Sequence, residues 1–388
     1  MTRQTLASLR RAIKRRFTSH LSDLGLIANR DGHLRPSGRS KRSVRRIHRS
    51  QRAAILAKRT GFVEEYWPKL REFFADGEDV DPIKIRPRLE MVASNTWQSN
   101  LFRLATLTWS VPVSPGYGRR LRFLVWDESN EKLIGLMGLG DPVFNLRVRD
   151  EWISWGVEER ARRLVNVMDA YVLGALPPYN SLLGGKLVAC LVRTREVRDA
   201  FAAKYGRRKG IISQKRKHPA LALVTTTSAL GRSSVYNRLT LGGRRYFEHL
   251  GFTTGWGHFH VPDSLFTLVR EYLAKQRDEY YDNHEFGDGP NWRLRAVRKV
   301  LSSVGLSPRL MHHGIEREVF ACEIADNAKS LLRGDVSVPD YGGLLSVAEV
   351  GDLARTRWLE PRATRLPDFQ RWKRASLTRS FKARSNGR

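Results

Sequence analysis

Sulfur is scarce in this 388-residue chain: it has two cysteines, Cys190 and Cys322, far apart and each in an apolar setting. A disulfide framework or a zinc ribbon is therefore excluded. Long apolar runs are missing as well. Nothing near the N-terminus resembles the core of a signal peptide, and no run approaches the ~18 residues that a membrane span requires. A cytoplasmic protein with no membrane partner is expected. Acid is the third shortage, with 39 Asp and Glu against 69 Lys and Arg, a formal charge of +30 and a pI near 10.8. A surplus of cations on this scale favours polyanions and makes binding depend strongly on salt. Nucleic acid is the natural partner, DNA ahead of RNA; docking on an acidic protein is the other reading. No internal repeat is visible.

What is present suffices for a real core. Hydrophobic residues make up 41% of the chain, with ten Trp, sixteen Phe and eleven Tyr, and the length predicts two or three folded units. The fold class expected is α+β, a mixed sheet with flanking helices and basic helical regions at both ends. The expected division is 1–60, a basic helical region; 61–100, a helix and connector; 101–262, an α/β core; 263–360, a helical region; and 361–388, a basic flexible tail.

The centre of the chain is residues 168–252. Met168-Asp169-Ala170-Tyr171-Val172-Leu173 and the run 220–227 read as buried strands, and a crossover helix with Gly184-Gly185 in its first turn separates them. Such a unit points backbone N–H groups and a helix start at the turn, where an anion can sit. Asn180, Gly184, Gly185 and Lys186 are the candidate ligand-binding residues. Adjacent glycines also serve close packing, and both readings stay open. The clearest hairpin is 121–126 and 133–139, joined by the polar turn Asp127-Glu128-Ser129-Asn130.

Residues 1–60 carry seventeen Lys or Arg against two Asp. A first amphipathic helix over 6–26 places Leu9, Ile13 and Phe17 on one side. After a polar break at 29–40, a second helix over 40–58 crowds Arg42, Arg45, Arg46 and Arg49 into a short stretch. These four are the candidate phosphate contacts, with a solvated basic face as the alternative. Basic loops at 207–209 and 215–217 follow the crossover helix. Segment 62–74 reads as a helix stopped at 75–79, 101–109 as helix or strand, and 89–93 as a strand. Ser233 or Ser234 suits the N-cap of a short helix. Residues 246–252 read as a helix end with Gly251 just past it. A last strand at 257–261 places His258 and His260 on one face. A third metal ligand would have to be His249 or Asp263, neither at a metal-site spacing, so no metal is expected. Beyond Pro262 the chain reads as helical.

The order of hairpin, strand, glycine turn, helix, strand, helix ending in Leu-Gly-Phe, and strand is similar to the GNAT acetyltransferase fold. In that fold the turn before the crossover helix carries Q/R-x-x-G-x-G/A and holds the coenzyme A pyrophosphate, and a Tyr four residues before the Gly-Phe glycine often acts as acid. Here the turn is Asn180-Ser181-Leu182-Leu183-Gly184-Gly185-Lys186, and Phe247 stands at the Tyr position. The resemblance implies acetyl-CoA as a possible ligand and no defined catalytic residues. A second resemblance covers most of the chain. Trp109-Ser110-Val111-Pro112-Val113-Ser114, Gly140-Asp141-Pro142-Val143-Phe144, Pro177-Pro178-Tyr179-Asn180, Gly231-Arg232-Ser233-Ser234-Val235-Tyr236-Asn237-Arg238 and Gly289-Pro290-Asn291-Trp292-Arg293 resemble the DruA family of the Druantia anti-phage system. That likeness implies a component of a bacterial defence locus working beside a large helicase-like partner, with no settled enzymatic activity. Two readings follow: a nucleic-acid-binding defence component on a degenerate acyltransferase scaffold, or an active acyltransferase.

Overall fold

The computed structural model describes residues 5–30, 32–38, 40–113, 118–206, 219–278 and 290–382 of the chain. Residues 114–117, both basic loops and Gly289 lie outside the described residues.

Helix α1 (Leu6–Leu24) begins at Thr5, whose hydroxyl accepts from the Ser8 N–H, and ends at Gly25 in the left-handed region, φ +69. Its buried residues Leu9, Ile13, Phe17 and Leu24 recur at helical spacing, leaving the cations outside. The segment expected as a polar break instead contains part of a ribbon, β1 (Leu26–Ala28) paired with β2 (Leu34–Pro36). Helices α2 (Lys41–Ile47), α3 (Arg49–Lys58) and α4 (Thr60–Leu70) follow. The stop expected after α4 is real: Asp76 and Asp79 form a reciprocal cap at a short 3-10 turn.

A seven-stranded sheet occupies the middle of the chain. Its strands are β3 (Pro87–Met91), β4 (Arg120–Asp127), β5 (Lys132–Gly140), β6 (Val167–Ala175), β7 (Leu223–Thr227), β10 (Glu248–Phe252) and β11 (Glu318–Glu323). A separate small hairpin pairs β8 (Thr240–Leu241) with β9 (Arg244–Arg245). The sheet order is β10-β11-β7-β6-β5-β4-β3, mixed, with β6–β7 its parallel pair. Helix α5 (Trp97–Thr106) resolves the segment that periodicity left open, and α6 (Arg147–Ile153) and α7 (Val157–Arg163) join β5 to β6. The crossover from β6 to β7 runs through α8 (Gly184–Cys190) and α9 (Arg195–Tyr205), as the unit at 168–252 predicts. The apolar runs of β4 and β5 are continuous because both faces are covered. Leu121, Phe123 and Val125 pack with Val188 and Phe201; Leu124 and Trp126 pack with Leu101 and Phe102 on the opposite side.

Helices α10 (Asp263–Lys275) and α11 (Pro290–Ser303) match expectation. Together with α1 and α2 they bury Ile13, Phe17, Ile47, Val269 and Val300 in one core. The basic N-terminal region and the segment between β10 and β11 therefore build a single helical layer. Helices α12 (Ala328–Arg333) and α13 (Val347–Ala354) complete the set used below.

Five expectations need correction. Residues 248–252 are strand, not helix: Gly251, at φ +134, lies where the β10–β11 register shifts. A helix end and a β-bulge both call for glycine, so the local signal was ambiguous. The segment 257–261 forms no strand beyond an isolated bridge from His258 to His312. Ser233 accepts from the Val235 and Tyr236 N–H groups in a turn that no helix follows. The region beyond Pro262 is not all helical, because β11 inserts between β10 and β7. The tail, expected to be flexible, buries Phe369 and Leu377 and holds Arg374 3.0 Å from Asp76.

Candidate functional site

Three places in this frame hold the candidate chemistry. On α2, Ser40 caps the start and Val44 and Ile47 turn inward, which forces Arg42, Arg45 and Arg46 outward; Arg49 is also exposed at the start of α3. The structure divides the four. Arg46 donates to the Asp23 and Ser22 carbonyls at 2.8 and 3.0 Å, closing the end of α1, where a cation is favoured. Arg45 reaches Ser110 at 3.3 Å. Arg42 and Arg49 have no hydrogen-bonded or ionic partner among the described residues. Arg10, Arg11, Lys14, Arg15 and Arg16 are exposed along α1 and enlarge the basic surface.

At the glycine turn, Leu183 stands in the left-handed region at φ +64 and the Gly184 N–H donates to the Tyr179 carbonyl at 2.9 Å. A Cβ on Gly184 would lie 2.7 Å from that carbonyl oxygen, whereas one on Gly185 would meet nothing within 4 Å. Gly184 thus lets the helix approach the turn before it. The Lys186 ammonium lies over the Trp358 ring, 5.3 Å from its centroid, and Arg362 donates to the Ser181 carbonyl at 3.2 Å. The segment after α13 therefore touches this turn.

The third place was not anticipated as a site. Strands β6 and β7 pair over Val167–Leu223 to Asp169–Thr225. Past that point β6 bonds β5 and β7 bonds β11. The gap between them is a cavity of about 440 Å³ that Trp109, Asp169, Tyr171, Thr226, Tyr236 and Arg317 line. Thr225 donates to the Asp169 carboxylate at 2.8 Å. Burial pushes Asp169 up to about 6, against the Thr225 hydrogen bond and the Arg149 and Arg120 charges, and lifts Tyr236 to about 12. A lone acid in an apolar strand was the available signal, and a titratable group displaced towards neutrality in a cavity suits proton transfer.

That displacement has a measurable consequence. A carboxyl raised in the folded state contributes stability that is fully present below about pH 4 and is lost as pH rises through about 6. Asp169→Asn keeps an oxygen for Thr225. It should be near neutral at about pH 4 and stabilising by about 1–2 kcal/mol at about pH 8, as read from urea unfolding. An equal effect at both pH values contradicts the shift.

His258 and His260 do not converge. His258 lies beside His312, ring centroids 4.9 Å apart, while the His260 carbonyl accepts from His20 at 2.8 Å. No cluster of three or more His, Cys, Asp or Glu suited to a metal occurs among the described residues. No described helix is long and apolar enough to cross a membrane.

No solved structure matches the chain. The family model described as Druantia protein DruA matches residues 39–334. Druantia protein DruA of Escherichia coli (strain UMEA 4076-1) is 53% identical over 365 residues, covering 94% of this chain and 90% of that protein. With the family match spanning the sheet and much of the helical layer, and that identity extending along nearly the whole length, the chain belongs to the DruA family.

Proposed function

We propose that this component of a Druantia-type anti-phage system binds nucleic acid through its basic helical layer and that its sheet is a degenerate acyltransferase scaffold. The observation that carries the reading is the row of exposed cations on α1, α2 and α3, with Arg42 and Arg49 unengaged by the other described residues. DNA is the favoured polymer, and the helicase-like protein of the same locus the favoured partner. The scaffold reading draws on the parallel β6–β7 junction with its glycine turn. The degenerate part draws on Gly184, whose N–H is already bonded within the protein.

Each phosphate contact on duplex DNA releases counterions, so affinity should fall about ten- to a thousand-fold between about 50 and 200 mM salt. Arg42→Ala with Arg49→Ala should flatten the slope of log affinity against log salt by about two, near one for each phosphate no longer neutralised. Arg46 is kept, since its loss would uncap α1 and confuse stability with binding. Fluorescence anisotropy with a labelled duplex measures both; an unchanged slope removes this surface from the interface.

The second reading, an active acyltransferase using acetyl-CoA at Asn180, Gly184, Gly185 and Lys186, is favoured by one observation. The cavity between β6 and β7, the two strands that this crossover joins, is lined by Asp169, whose carboxyl burial shifts towards neutrality.

A further inference from the structure

Arg317 lines the cavity between β6 and β7 and also a second one, of about 500 Å³, whose walls include Asn145, Arg147, Thr254, Trp256, His258 and His313. Arg317 and Thr227 are common to both linings. The Nε group is buried and has no hydrogen-bond partner among the described residues. Nη2 lies 3.3 Å from His48 Nε2, and no carboxylate pairs with it among those residues. The adjacent Glu318 carboxylate accepts instead from the Ser233 N–H at 2.6 Å and from Asn237. A half-buried guanidinium without a counter-charge is costly unless an anion completes it.

The surrounding groups give no relief. His313 is pushed down to about 3 by burial and then by Arg317, His48, His258 and His312. Burial lowers His48, and the Arg317 charge adds to it. Burial thus keeps these rings neutral, so the fixed positive charges lining the cleft are those of Arg317 and Arg147.

The same cavity has an aromatic wall. Trp256 is 71% exposed, with one face stacked near-parallel on His312, 14° between planes and 6.2 Å between centroids. The His312 stack fixes the indole while its other face remains open, and a planar heterocycle can stack there. Phe252, 39% exposed, lines the same space. The volume falls in the range of small-ligand sites.

We propose that this cleft is a nucleotide site, with the phosphate at the Arg317 guanidinium and the base on the open face of Trp256. Its ligand is a nucleoside monophosphate unit, either free or as the 5′ end of a strand. The proposal stands whether or not the basic surface of α1–α3 binds duplex DNA.

Calorimetry on the full chain with AMP, adenosine and inorganic phosphate tests it. AMP should bind with a dissociation constant below about 1 mM, and adenosine and phosphate each at least about ten-fold more weakly. Trp256→Ala should weaken AMP by about ten-fold and leave phosphate unchanged. Arg317→Gln should bring AMP down to the level of adenosine. The Trp256 variant removes an exposed side chain, so it remains informative if the Arg317 variant does not fold. Displacement of AMP by a short 5′-phosphorylated oligonucleotide, and not by its 5′-hydroxyl form, assigns the strand end as the ligand; failure of both to displace assigns the free nucleotide. No heat with AMP, or an affinity that Trp256→Ala leaves intact, overturns the proposal.

Discussion

Arg193→Met should destabilise the chain by about 2–4 kcal/mol, chiefly through the buried carbonyls left without a donor, since Asp326 keeps Arg244 and the Gly343 N–H as partners. Arg193 ends the 3-10 turn between α8 and α9 and is 2% exposed. Its Nε donates to the Glu323 carbonyl at 2.8 Å, Nη1 to the Gly343 carbonyl at 2.6 Å and Nη2 to Asp326 at 2.6 Å. One side chain therefore ties the crossover to the end of β11 and to the loop that leads into α13. Methionine keeps most of the volume but leaves two carbonyls without that donor. Arg371→Ala is the control, because that side chain is 85% exposed and pairs with Asp368 at 3.3 Å; its effect should stay within about 0.5 kcal/mol. Urea unfolding of both variants gives the comparison. A loss below about 1 kcal/mol for Arg193→Met would mean that the three segments hold together without the arginine.

The two glycines of the crossover should respond in opposite directions. Gly184→Ala places a methyl group 2.7 Å from the Tyr179 carbonyl oxygen and 3.2 Å from the Ala175 Cβ. Backbone must move, at a cost of about 1–3 kcal/mol. Gly185→Ala meets open space inside a helix and should stabilise by about 0.4–1 kcal/mol by narrowing the unfolded ensemble. Shifts in urea midpoint of opposite sign are the expected result; two equal shifts would show that the turn tolerates both. On the degenerate-scaffold reading, coenzyme A titrated into the wild-type chain gives no heat, and a dissociation constant below about 1 mM would favour the acyltransferase reading instead.

Much of the frame was legible in the residues. The stripe of Leu9, Ile13 and Phe17 announces α1, and the turn Asp127 to Asn130 between apolar runs announces the β4–β5 hairpin. The β6 to β7 unit follows from two short apolar runs either side of a helical pattern. Exposure of Arg42, Arg45, Arg46 and Arg49 was also legible, since Val44 and Ile47 alone fit the inward face. Their different uses were not. Whether an arginine is free or caps the end of α1 depends on where that end lies in space, and nothing local to Arg46 records it.

Amino-acid order by itself determined the basic stretches and the apolar periodicity, because each is a property of residues close together in the chain. Tertiary structure decided the rest. Residues 248–252 became strand because β11 returned to pair with them, and β11 pairs with β7 on its other edge. Residues 257–261, which read locally as a strand, found only an isolated bridge at His258 and stayed irregular. The cavities at Asp169 and Arg317 exist because neighbouring strands part and because segments far apart in sequence close around the gap. Strand pairing and cavity walls are made between distant residues, so no local pattern specifies them.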